Sequence, residues 1–171
     1  MTQSTASTQS SQLRDLVVRR QLGAPVAAVW RAFTEDDEVM KWWGPEHFTA
    51  PVARMDVREG GKSVVCMRSP DGHDMYSVWQ YTRVVPGQRL EYVFNLSDSR
   101  GNKVDPTSLG MPSAFPRDVA HVVTFEAQAH GASTELVVGE LGYGPGPFYD
   151  LSKTGLEQCL DKLERALSAH G

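Results

Sequence analysis

Between residues 48 and 141 the sequence is a succession of short segments rich in Val, Met, Tyr and Phe, separated by turn residues. Only one long amphipathic helix pattern follows them. That imbalance restricts the fold more than any other feature, because one helix must cover the apolar face of an entire sheet. The segments at 48–58, 62–69, 75–85 and 88–97 are divided by Glu59-Gly60-Gly61, Pro70-Asp71-Gly72 and Pro86-Gly87. Short turns of this kind join neighbouring antiparallel strands. Alternation is clearest where Leu90, Tyr92, Phe94 and Leu96 share one face and Glu91, Val93 and Asn95 the other. Two more strands, about 117–128 and 133–141, flank His130-Gly131-Ala132. A turn near residue 131 sets Val123 opposite Val138 and His121 opposite Glu140.

Ahead of the meander, residues 16–22 read as a first strand, and Pro25 suits the first turn of a helix over 25–33. Val26, Val29, Trp30 and Phe33 recur there at helical spacing. Thr34 is the expected N-cap of a second short helix, with Glu35, Asp36 and Asp37 at its positive end. That helix stops before Trp42-Trp43-Gly44-Pro45. The long C-terminal helix starts at Pro147 and aligns Leu156, Cys159, Leu160, Leu163 and Leu167 on one stripe. The class is α+β: a curved antiparallel sheet of about seven strands around a long C-terminal helix, with two short helices after the first strand.

Composition removes several functions. A chain of 171 residues with a formal charge of −4 has no basic footprint for nucleic acid. No apolar run reaches the ~18 residues of a membrane-spanning helix. Two cysteines, Cys66 and Cys159, make no disulfide framework and read as packed, unreactive thiols in a reducing compartment. Residues 1–12 are mostly Ser, Thr, Gln and Ala, without a signal-peptide pattern, and read as a disordered tail. One cytoplasmic domain over 13–171 is expected.

Motifs spread along that domain resemble a known family. They are Ala24-Pro25-Val26-Ala27-Ala28-Val29-Trp30 before Phe33-Thr34, Trp42-Trp43-Gly44-Pro45, Gly60-Gly61, and Val84-Val85-Pro86-Gly87-Gln88-Arg89-Leu90. Val122-Val123-Thr124-Phe125-Glu126 and Gly155-Leu156-Glu157-Gln158-Cys159-Leu160-Asp161-Lys162-Leu163 follow in the same order. Together they resemble the helix-grip, START-like or SRPBCC superfamily, and within it the family of the activator of heat shock protein 90 ATPase. The resemblance implies a cavity between sheet and helix. Superfamily members bind lipids, sterols, hormones or polyketides there, and some polyketide cyclases catalyse in it. Two departures are Leu156, where such proteins usually carry Trp, and Glu140, where His is common. The co-chaperones add a separate N-terminal domain, for which a chain of this length is not expected to have room.

Catalytic and cofactor motifs are absent from the sequence: no GxSxG, HExxH, P-loop or strand-linked GxGxxG occurs. The prolines in Gly142-Tyr143-Gly144-Pro145-Gly146-Pro147 remove amide donors that a phosphate cradle needs. The five histidines lack metal-ligand spacing, and His73, His130 and His170 read as solvated surface. His121 shares a face with Val123 and Phe125; it is either a hydrogen-bonded core residue or, paired with Glu140, a polar anchor or general acid/base. Trp42 and Trp43 are adjacent, so one is expected to pack and the other to line a pocket or the surface. Met67, Trp79, Tyr81 and Tyr92 read as core or as cavity wall, and Phe48, Phe148 and Leu156 complete the candidate liners. The loop from about 97 to 116 carries Leu109, Met111 and Phe115, and reads as a lid or a dimer contact. The expected function is binding of a small hydrophobic or aromatic molecule without metal or cofactor. A cyclase-like or hydratase-like enzyme and a chaperone-contacting protein are the alternatives, and a homodimer stays open.

Overall fold

Each group of turn residues in the meander ends a strand, and the apolar alternation of those strands faces one side. The computed structural model describes residues 13–169. The segment read as a tail, residues 1–12, and His170 lie outside it. The chain runs β1 (Arg14–Leu22), α1 (Val26–Thr34), α2 (Asp36–Val39), β2 (Thr49–Arg54), β3 (Lys62–Arg68), β4 (Asp74–Val85), β5 (Arg89–Ser97), β6 (Val119–Gln128), β7 (Ser133–Tyr143) and α3 (Phe148–Ser168). One curved sheet holds all seven strands in the order β1-β7-β6-β5-β4-β3-β2, every pair antiparallel. Among the described residues no helix is long and apolar enough to cross a membrane.

Register follows from the hairpins. Val123 pairs with Val138 and His121 with Glu140, as the turn near residue 131 dictates. Leu16, Val18, Val65, Trp79, Tyr81, Leu90, Tyr92, Val123, Phe125, Leu136 and Val138 are all buried on the concave face. The stripe of α3 buries Leu156, Cys159, Leu160 and Leu163 against them. Arg20 of β1 fixes the helix from the sheet edge, donating to Asp161 at 2.7 Å and to the Glu157 carbonyl at 3.1 Å. Helix α1 adds Val29, Ala32 and Phe33, with Phe33 edge-on to Phe125 at 5.4 Å.

Three expectations need correction. Thr34 does not cap α2: its hydroxyl donates to the Trp30 carbonyl at 2.8 Å and so finishes α1. The acidic residues Asp36, Asp37 and Glu38 still occupy the first turn of α2, which is only four residues long. The strand read at 48–58 stops at Arg54, because the following residues form a turn instead. There Gly61 donates to the Arg58 carbonyl at 2.8 Å, and a Cβ on Gly61 would collide with the Asp56 carbonyl oxygen.

The third correction concerns the long loop, which is not one lid. Its first half turns under the convex face, where Ser97 bridges Lys103 and Arg54 donates to the Ser99 carbonyl. Gly101, at φ +84°, sits so close that a Cβ would meet Val64 Cγ2 at 2.7 Å. This contact buries Val64 and Val78 on the outer side of the sheet. A 3₁₀ turn at Pro106–Leu109 follows, with Leu109 exposed. Asp105 anchors the turn by accepting from the Thr107 amide at 2.9 Å and from Arg117 at 2.7 Å. These bonds hold its carboxyl at about 2. Only the last part reaches the concave side, where Phe115 meets Phe148 edge-on at 5.3 Å.

Candidate ligand pocket

Helix α3 lies chiefly along β1, and its N-terminal half stands off part of the concave face of β3 to β6. A pocket of about 190 Å³ occupies that space. Period-2 alternation supplies its floor: Met67 from β3, Met75 and Ser77 from β4, Phe94 and Leu96 from β5, Val119 and His121 from β6. Helix α3 contributes Phe148, Ser152, Gly155, Leu156 and Cys159; the Trp43-Gly44-Pro45 corner and Phe115-Pro116 complete the wall. Burial pushes the Cys159 thiol up to about 11, so it stays protonated at neutral pH.

The polar groups gather on one side. His121 Nε2 lies 3.0 Å from Glu140 Oε1, and the Tyr143 hydroxyl donates to Glu140 Oε2 at 3.1 Å. His121 Nδ1 lies 3.0 Å from the Val119 carbonyl, which can only accept, so Nδ1 carries a hydrogen. The Nε2 to Oε1 contact makes His121 and Glu140 a buried hydrogen-bonded pair. Burial, followed by the Glu140 charge, raises the Tyr143 pKa and keeps its hydroxyl protonated. Ser152 of α3 stands on the same wall. The imidazole is stacked against Tyr92 at 4.9 Å and Phe94 at 5.3 Å, which fixes the ring plane.

Tyr143 joins this group although strand alternation does not point to it. Residues 140 and 143 fall on opposite faces of a regular strand, but a register shift against β1 pairs Tyr143 with Arg14 and Glu140 with Leu16. Gly142, at φ +83°, lies within that bulge and is the one sequence signal for it.

Of the candidate liners, Trp43, Met67, His121, Glu140, Phe148 and Leu156 meet at the pocket. Trp42 is instead fully buried, its indole donating to the Ala32 carbonyl at 2.8 Å. Trp79, Tyr81 and Tyr92 form the layer behind the wall. Trp79 stacks on Tyr92 at 5.1 Å and donates to Ser77, and the Tyr81 hydroxyl bonds Ser63 at 2.8 Å. Phe48 is half-buried at the outer side of the Gly44 corner, its Cβ 3.1 Å from where a Gly44 Cβ would be.

That corner is held by one lysine. Lys162 Nζ donates to the carbonyls of Gly44 and Phe48 at 3.0 Å each and of Pro45 at 3.4 Å. Burial lowers its pKa from the ordinary lysine range. Lys162→Met keeps the packing stem and removes the donors, so a loss of about 1–2 kcal/mol is expected, the lower part of the range for charged hydrogen bonds because the site is partly exposed. Urea unfolding reads the loss, and a red shift of indole emission reads the freed Trp43 corner. An unchanged midpoint and spectrum would remove Lys162 from this role.

Residues 23–168 match the sequence pattern of the family described as Activator of Hsp90 ATPase homolog 1-like protein. The chain belongs to that family. Solved structures agree with the Activator of Hsp90 ATPase homolog 1-like fold. A protein from Nitrosomonas europaea has a TM-score of 0.72 at 24% identity, covering 91% of this chain and 95% of its own. The AHSA1 protein from Silicibacter pomeroyi gives 0.69 at 19%, covering 92% and 100%. An AHSA1-like protein from Aeromonas hydrophila gives 0.68 at 19%, covering 92% and 94%. No curated protein sequence matches the chain. Both departures from the family resemblance, Leu156 and Glu140, fall on the pocket wall.

Proposed function

We propose that the protein binds a small, largely apolar molecule in this pocket, as a receptor or carrier without metal or cofactor. One observation carries the reading: the space of about 190 Å³ is walled mainly by aromatic and aliphatic groups, with its charged and acid–base groups gathered on one side. Size narrows the occupant, since an apolar cavity of about 150 Å³ holds benzene. A ligand of one or two rings fits better than a sterol. Native mass spectrometry of the purified protein tests the proposal, with a co-purifying small molecule lost on denaturation as the expected result. An adduct-free spectrum, together with no amide shifts at Phe94 or Leu156 on adding toluene, would overturn it.

The buried contact between His121 and Glu140 favours a second reading, general acid/base chemistry of cyclase or hydratase type. Turnover of a bound compound that disappears in His121→Gln would support it. A chaperone contact rests on the family description alone, and a homodimer on domain size alone.

A further inference from the structure

The polar wall also states what the ligand carries, granted that the pocket is a ligand site. We infer that the ligand is an uncharged ring compound bearing a hydroxyl group, phenol-like, whose O–H donates to Glu140.

Charge is the first argument. Among the described residues that line the pocket there is no Lys or Arg, and the only ionisable pair on its wall is His121 with Glu140. Lys162 of α3, behind the Gly44 corner, spends its donors on the Gly44, Pro45 and Phe48 carbonyls. A carboxylate or phosphate group would therefore enter beside the buried Glu140 without a compensating cation. An ammonium group fails differently. His121 Nε2 already meets the Glu140 carboxylate at 3.0 Å and Tyr143 donates to it at 3.1 Å, so a buried ammonium would have to share that one carboxylate with the imidazole.

Hydrogen-bond capacity is the second. A carboxylate offers about four acceptor positions, and His121 and Tyr143 occupy one on each Glu140 oxygen. What remains is acceptor capacity facing the pocket, which a ligand O–H fills with a charge-assisted bond. The Ser152 hydroxyl stands on the same wall and suits the ligand oxygen as a second partner, since Tyr143 already donates its one hydrogen to Glu140. Trp43, Phe94, Phe115 and Phe148 provide aromatic faces for the ring.

Four probes that differ in one substituent separate these arguments: 4-methylphenol, toluene, 4-methylbenzoate and 4-methylbenzylamine. Each is titrated into the full-length, isotope-labelled protein, with amide shifts of the lining residues followed by NMR. 4-Methylphenol is expected to bind about tenfold or more tightly than toluene, and both charged probes more weakly than 4-methylphenol, as a hydrogen bond to a buried charge requires. Glu140→Gln is expected to narrow the gap between 4-methylphenol and toluene. Equal affinities for those two, or tightest binding of either charged probe, overturn the inference while leaving the pocket a ligand site. No shift at the lining residues with any probe overturns both readings. The wild-type comparison does not depend on how well the variant folds.

Discussion

Glu140→Ala is expected to lower the unfolding free energy by about 3 kcal/mol, the low end for breaking a buried charge pair by removing one partner. The pair is enclosed, His121 being 5% and Glu140 9% exposed, and Glu140 accepts from Tyr143 as well as meeting His121. Removing the carboxylate takes away the partner that both His121 Nε2 and the Tyr143 hydroxyl meet in this largely apolar wall. Glu140→Gln retains an acceptor and much of the volume, so its loss should be smaller. The informative control is the double change His121→Phe with Glu140→Leu. It removes both polar partners and keeps an aromatic ring against Tyr92 and Phe94, so it should be markedly more stable than Glu140→Ala alone. Urea denaturation of the parent and the three variants at neutral pH makes the comparison. A loss below about 1 kcal/mol for Glu140→Ala would mean that the pair is effectively solvated, as surface pairs are.

The His121–Glu140 pairing is legible in the sequence alone, and the reason is arithmetic. Side chains alternate with period 2, and one turn near residue 131 fixes every partner up to His121 and Glu140. The same rule identifies the shared face of Leu90, Tyr92, Phe94 and Leu96, but not which of them is covered. Leu90 and Tyr92 lie under packed side chains while Phe94 and Leu96 line the pocket, a difference set by where α3 crosses the sheet. No linear pattern encodes that crossing. Adjacency separates Trp42 and Trp43 into one packed and one lining residue, yet their order depends on the helix end that turns Trp42 toward Ala32. A bulge hides Tyr143, since strict alternation assigns it to the other face. The long loop is opaque for a different reason. Its apolar residues suggest one lid, whereas Gly101 anchors the first half beneath Val64 and only the Phe115-Pro116 end reaches the pocket.

Leu156→Trp is expected to abolish binding in the pocket, with affinity for 4-methylphenol falling by about tenfold or more, because a well-packed interior has no room for both indole and ligand. Leu156 lies on the wall contributed by α3, at the position where the family resemblance expects a Trp, so the substitution asks whether the smaller side chain opens the space. The unoccupied volume of about 190 Å³ can take the larger ring, and the variant should keep its thermal midpoint or gain stability rather than show the loss of about 1–3 kcal/mol that overpacking a filled core brings. Leu156→Ala moves the other way. It enlarges the same wall, lowers stability by roughly 2 kcal/mol or more through the lost contacts, and should admit a two-ring probe such as 2-naphthol more tightly than the parent does. Opposite changes in ligand size preference from one position cannot arise from general destabilisation. If 4-methylphenol binds the Trp variant as it binds the parent, with amide shifts still centred on Phe94 and His121, then Leu156 does not bound the ligand.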